Sequence, residues 1–108
     1  MRRRWCALAL FCCGLALTVS PMRSAQASAE LAQQKACLAC HAIQHNRVGP
    51  AYSQVAQRYA TRPDAVEYLS NSIKNGGGGR WGMGAMPRQN LSEDEARQLA
   101  QWILSLAP

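Results

Sequence analysis

Residues 37–41 read Cys37-Leu38-Ala39-Cys40-His41. Two cysteines separated by two residues and followed directly by a histidine have the spacing of c-type haem attachment. The reason is reach. Two thiols so placed can add to the two vinyl groups on one haem edge, while the next residue turns its imidazole under the iron. Covalent attachment then keeps the cofactor bound even with its edge in solvent. Other chemistries compete for these residues. A thioredoxin-like dithiol belongs with a βαβ pattern, and no alternating strand pattern occurs here. A zinc site could use Cys37, Cys40, His41 and His45, but a Cys₂His₂ finger separates its cysteine pair from its histidine pair by about 12 residues. With His41 adjacent to Cys40 the tetrahedron would be cramped. A plain structural disulfide is the remaining alternative.

A low-spin electron-transfer iron needs a second ligand on the face opposite His41. The sequence offers His45, Met83 and Met86. His45 lies four residues from His41, on the same side of the attachment, and reads as an exposed loop histidine. Both methionines fall in a long aperiodic stretch that could deliver a thioether. Gly82 and Gly84 make a flexible setting for Met83. Pro87 restricts Met86 to extended geometry, a stiffer setting for a ligand.

Upstream of the motif the chain changes character. Arg2, Arg3 and Arg4 precede an uncharged run from Trp5 to Val19, broken by Ser20 and Pro21. That run is short of the roughly 20 apolar residues needed to span a bilayer. Ala25-Gln26-Ala27 supplies a small-residue cleavage pattern. We therefore expect residues 1–27 to be a signal peptide and residues 28–108 a single domain, exported to the periplasm without a stable membrane anchor. The whole chain has 12 basic and 6 acidic side chains, a net charge of +6. Four arginines leave with the signal, and the remaining net of +2 gives no argument for nucleic-acid binding. Cys6, Cys12 and Cys13 leave as well, so only the motif cysteines remain. Export fits the motif, because haem attachment of this kind takes place outside the bacterial cytoplasm.

The domain has no phenylalanine and few large apolar side chains. Chains this small often need a staple, and a haem would supply one. Its periodic segments are all helical. Residues 30–36 are good helix formers leading into Cys37. Tyr52, Val55, Ala56 and Tyr59 mark a helix over about 51–60. Thr61 is a candidate cap for a helix carrying Val66, Leu69 and Ile73, with Pro63 and Asp64 suited to its first turn. That helix reaches about Asn75, where Gly76 can take a left-handed stop. Ser92-Glu93-Asp94-Glu95 is a capping box for a last helix with the stripe Leu99, Trp102, Ile103 and Leu106. Between them residues 76–91 show no period, a length of connection that suggests function.

Together with the haem motif, the fragments Val48-Gly49-Pro50-Ala51-Tyr52, Ile73-Lys74-Asn75-Gly76, Trp81-Gly82, Met86-Pro87, Ser92-Glu93-Asp94-Glu95-Ala96 and Trp102-Ile103-Leu104-Ser105 resemble, in order and spacing, the short bacterial class I cytochromes c of the cytochrome c-551 type. The resemblance implies an all-α fold, about four short helices wrapped around one covalently bound haem, with the terminal helices crossing. It implies Met86 as the second iron ligand, with the Pro50 carbonyl accepting the His41 Nδ1 hydrogen and the Trp81 indole N–H serving a haem propionate. It places Arg47, Arg80 and Arg88 in loops flanking the haem. Four residues depart from the family pattern. Ala36 replaces a glycine before the motif, Ala32 an aromatic at the helix crossing, Ser72 an arginine near a propionate, and Gln89 an asparagine near the methionine sulfur.

The function expected is an electron carrier rather than an enzyme: a monomeric periplasmic shuttle with haem c and iron as cofactors. Its partners would be a donor such as a cytochrome bc1-type complex and an acceptor such as a nitrite reductase or terminal oxidase. A haem c subunit of a larger oxidoreductase, or an open-site haem enzyme or gas sensor, are the alternatives. Intact mass of the exported protein should equal residues 28–108 plus one haem. Haem extractable by acid solvent would argue against covalent attachment.

Overall fold

The computed structural model describes residues 14, 21–82 and 84–108. Among them lie four helices: α1 (Pro21–Gln34), α2 (Tyr52–Tyr59), α3 (Ala65–Asn75) and α4 (Glu93–Leu104). A 3₁₀ turn, Cys37–Ala39, separates α1 from α2. The all-α expectation holds. The sole extended pairing among the described residues is an isolated antiparallel bridge between Gly77 and Met86. None of the described helices is long and apolar enough to cross a membrane.

Helix α4 is the hub, packing against α1, α2 and α3. Its start is fixed locally. Ser92 Oγ accepts the Glu95 N–H at 3.1 Å, and the Ser92 N–H donates to the Glu95 carboxylate at 2.9 Å. That backbone N–H, with Lys35 beside it, holds the Glu95 carboxyl below its usual range. Lys35 reaches Glu95 at 3.4 Å, tying the end of α1 to the start of α4. Leu99, at 1 % exposure, is the most completely buried large side chain.

Helix α1 starts earlier than the expected 30–36 and stops at Gln34, two residues short. Residues 21–27 are all exposed, and burial begins at Ser28, followed by Leu31 and Ala32. Ser28 Oγ donates to the Ser24 carbonyl and accepts from Gln98 of α4. Ala32, Ala96 and Ala100 are fully buried, so small side chains allow α1 and α4 to approach closely. Ala32 itself has no exposed surface, although an aromatic is expected at that position. Trp102 packs edge-on against Tyr52 with ring centroids 5.7 Å apart.

Helix α3 departs from expectation at both ends. Its N-cap is Asp64, not Thr61, and the Asp64 side chain makes no cap bond. The Asp64 carboxylate instead takes Arg62 Nε at 2.6 Å and Nη2 at 3.1 Å. At the other end Gly76 has φ 69° and ψ −153°. The positive φ was anticipated, but the extended ψ sends the chain outward into the Gly77–Met86 bridge rather than around a left-handed cap. A side chain at Gly76 would also press on Pro87, whose carbonyl carbon and oxygen lie 2.8 and 2.9 Å from the site of a Cβ.

Ala36 ends α1 in the left-handed region, at φ 57° and ψ 24°, where a Cβ costs about 1–2 kcal/mol. Glycine avoids that cost but loses roughly 0.5–1 kcal/mol through a freer unfolded chain. Ala36→Gly should therefore stabilise the holoprotein by about 0.5–1 kcal/mol in chemical denaturation. A loss of stability would show that the turn is not strained.

Candidate functional site

The haem motif lies on the 3₁₀ turn and the residues just after it. Backbone N–H groups of Cys40 and His41 both donate to the Cys37 carbonyl, at 3.2 and 3.0 Å. This curl brings both sulfurs and the imidazole to one wall of a cleft. Cys37 and Cys40 are free thiols rather than a disulfide. Burial pushes the Cys37 thiol up, opposed by the Tyr52 phenol beside it; burial likewise raises the Tyr52 phenol.

The segment after the motif is folded back to orient His41. Gly49 N–H donates to the Cys40 carbonyl at 2.7 Å, Ala51 N–H to Asn46 Oδ1 at 2.8 Å, and Tyr52 N–H to the Ala42 carbonyl at 2.9 Å. Pro50 is thereby placed with its carbonyl 2.8 Å from His41 Nδ1. A carbonyl only accepts, so Nδ1 carries the proton and a neutral ring keeps its lone pair on Nε2. The Tyr52 ring stacks on the imidazole at 5.1 Å with an interplanar angle of 21°. Gly49 leaves room for the ring: a Cβ there would lie 2.8 Å from Nδ1 and 2.9 Å from Nε2.

The loop of residues 76–91 supplies part of the cleft wall, and it is not free chain. Gly77 N–H donates to the Met86 carbonyl at 3.0 Å and Met86 N–H to the Gly77 carbonyl at 2.8 Å. Gln89 N–H donates to the Lys74 carbonyl at 3.0 Å, and the Gln89 side chain to the Pro87 carbonyl at 2.9 Å. Met86 is thus pinned to the end of α3 from both sides, and it lines the cleft.

The cleft is open to solvent at its mouth. Its floor is apolar, formed by Val55, Leu69, Ile73, Leu99 and Ile103. Two thiols and an imidazole on one wall, a thioether on the loop and an apolar floor fit a haem. Trp81 lies on this cleft, edge-on to Tyr59 at 6.3 Å and under the Arg58 guanidinium at 4.4 Å.

Other candidates are placed elsewhere. His45 is exposed and does not line the cleft. Met83 lies outside the described residues. Among the described residues no three His, Cys, Asp or Glu side chains gather as a metal cluster, so the fold does not assemble the zinc arrangement. Ser72 lines the cleft but its hydroxyl donates to the Tyr68 carbonyl at 2.8 Å. Arg47 is turned to the Leu38 carbonyl at 3.0 Å, Arg88 is exposed, and Arg80 lies on the cleft wall. Two contributors were not singled out from sequence: Gly49, whose signal was its place before Pro50, and Tyr52, which helical periodicity marked only as core.

A cleft of this shape inside four helices defines a class, and comparison with known proteins agrees. The cytochrome c family model matches residues 25–107, and the chain belongs to that family, as a short class I cytochrome c of the c-551 type. It is 56 % identical to cytochrome c-552 of Hydrogenobacter thermophilus over 80 residues, covering 74 % of this chain and 82 % of that one. Identity to cytochrome c-551 of Pseudomonas aeruginosa is 48 % over 75 residues, covering 69 % and 72 %. The crystal structure of wild-type Nitrosomonas europaea cytochrome c552 superposes with a TM-score of 0.70 at 44 % identity, covering 72 % of this chain and 98 % of that one. The protein is an electron carrier with one covalently bound haem c, not an enzyme.

Adding a methyl group at position 49 tests the approach of the ring to the backbone. Gly49→Ala should destabilise the holoprotein by about 1–3 kcal/mol through overpacking and weaken the Nδ1–H contact to Pro50. Wild-type stability with an unshifted Nδ1–H proton resonance would contradict it.

Proposed function

We propose that Cys37 and Cys40 carry the haem by thioether bonds, that His41 Nε2 and the Met86 thioether bind the iron, and that the protein shuttles single electrons in the periplasm. The contact of His41 Nδ1 with the Pro50 carbonyl carries this reading. It fixes the tautomer, orients the ring and raises the basicity of the ligating nitrogen. The haem supplies one-electron chemistry at iron, and methionine ligation raises its potential. The chain's own part is to hold both ligands still. Pro50, Gly49 and Tyr52 hold His41, and the Gly77 bridge with Pro87 holds Met86. Trp81 stands on the cleft with an indole N–H suited to a propionate. With His41 and Met86 as its ligands, the iron would be left no open position for a substrate.

Export follows the same lines. The first buried residue of α1 is Ser28, immediately after the proposed cleavage point, and residues 21–27 before it are exposed, so cutting there takes no buried side chain from α1. As a monomeric carrier the protein would meet a donor such as a cytochrome bc1-type complex and an acceptor such as a nitrite reductase or terminal oxidase.

Replacement of the thioether gives the test. Met86→Ala should abolish the weak far-red sulfur-to-ferric-iron absorption, lower the potential and let carbon monoxide bind the ferrous protein readily. Met83→Ala should leave all three nearly unchanged. The reverse pattern would move the ligand role to Met83, and loss in neither would return it to His45.

A further inference from the structure

A haem brings two carboxylates with it, and a carboxylate next to an apolar floor needs a cation or donors. Arg80 is the one charged side chain on the cleft lining among the described residues. The ion pairs of the described residues are Lys35–Glu95, Arg62–Asp64, Lys74–Glu93 and Arg97–Glu67. Arg80 takes part in none of them. Its position is nevertheless fixed. Nη2 donates to the Gly76 carbonyl at 3.3 Å. The guanidinium lies over Gly77, where a Cβ would come within 2.8 Å of Nη2. The Arg80 carbonyl accepts from Arg58 Nη1 at 2.7 Å, and the Arg58 guanidinium lies over the Trp81 ring. An arginine braced by a glycine, a carbonyl and a second arginine, and paired with no acid, is a cation awaiting a carboxylate. At Ser72, on the same wall, the hydroxyl proton is already committed to Tyr68.

We propose that Arg80 is the cation that pairs with a haem propionate in this protein, and that by doing so it sets the pH at which the redox potential changes. The proposal rests on the haem occupying this cleft. Arg80 offers a planar fork of donors matched to a carboxylate. An opposite charge at contact lowers a carboxyl pKa by about 1–3 units. Deprotonation adds a negative charge near the iron and stabilises the ferric state, so the potential falls as pH rises through that pKa.

Few other groups near Arg80 can imitate this step. Helix α2 contributes Arg58 and Tyr59, whose phenol burial pushes up. The turn before α3 contributes Arg62 and Asp64, bound to one another. Helix α3 contributes Tyr68 and Glu67, the latter paired with Arg97. His45 is exposed and off the cleft, and as a histidine it serves as a control.

The test is the midpoint potential of the holoprotein followed spectroelectrochemically from about pH 4 to 9. Arg80→Gln should move the step upward by about one pH unit or more, or bring into range a step that lies below it in the parent. Arg88→Gln, which removes an exposed arginine off the cleft, should leave the step in place, as should His45→Gln. If Arg80→Gln does not accumulate, Arg80→Lys keeps charge but loses the fork and should give a smaller upward shift. An unmoved step in the Arg80 variant, flat traces in both proteins, an equal shift in Arg88→Gln, or a step lost with His45 would each overturn the assignment. Failure of the underlying reading shows separately, as a missing covalent haem or far-red band in the unsubstituted protein.

Discussion

The 2.8 Å contact between His41 Nδ1 and the Pro50 carbonyl is the constraint on which the rest depends. It can form only if the chain reverses between residues 41 and 52. Each piece of that reversal serves it. Asn46 holds the Ala51 amide, Gly49 clears the ring, and Ala42 takes the amide of Tyr52 just as α2 begins. Helix α2 therefore starts in register with the imidazole, and Tyr52, its first residue, comes to lie flat against the ring. Through Tyr52 the constraint passes to Trp102 and α4, and through α4 to the other three helices.

The second half of the cleft is built on a different principle. The orientation of His41 is set by a short local turn, whereas Met86 is held by backbone pairing to a residue nine positions earlier. Local sequence rules see the first kind of device and miss the second. The capping box at Ser92 and Glu95 was legible to the atom because its partners lie within one turn. The motif itself was legible because its chemistry requires those residue types side by side. The extent of α1 was not, since residues 21–27 carry signal-like composition and yet continue the helix. Thr61 looked like a cap, but Arg62 claims the acid at position 64 and α3 begins after it. The role of Gly49 needed coordinates, because only the folded ring shows what a methyl group would strike.

The departures from the family pattern acquire meaning in the same way. Ala32 is absorbed by close packing of alanines across the α1–α4 contact. Gln89 is spent on the Pro87 carbonyl, stiffening the residue that follows Met86. Ala36 retains the left-handed backbone without the residue that adopts it freely, so the turn into the motif stores strain there. Of the three, Ala32 alone answers to neighbours distant in sequence, Ala96 and Ala100 of α4.

The paired amides of Gly77 and Met86 close the intervening segment into a ring of chain fastened at its neck. Everything the fold requires of Met86 is satisfied at that neck. Within the ring Arg80 and Trp81 are braced against Gly76 and Arg58, but a Cβ at Gly79, Gly82 or Gly84 would meet nothing, and lengthening a closed loop costs little, about 0.6 kcal/mol for each doubling. Position and contour are thereby uncoupled. Evolution can vary the outer face of this loop, and with it what the carrier presents to the proteins it meets, without disturbing the place where the thioether is held.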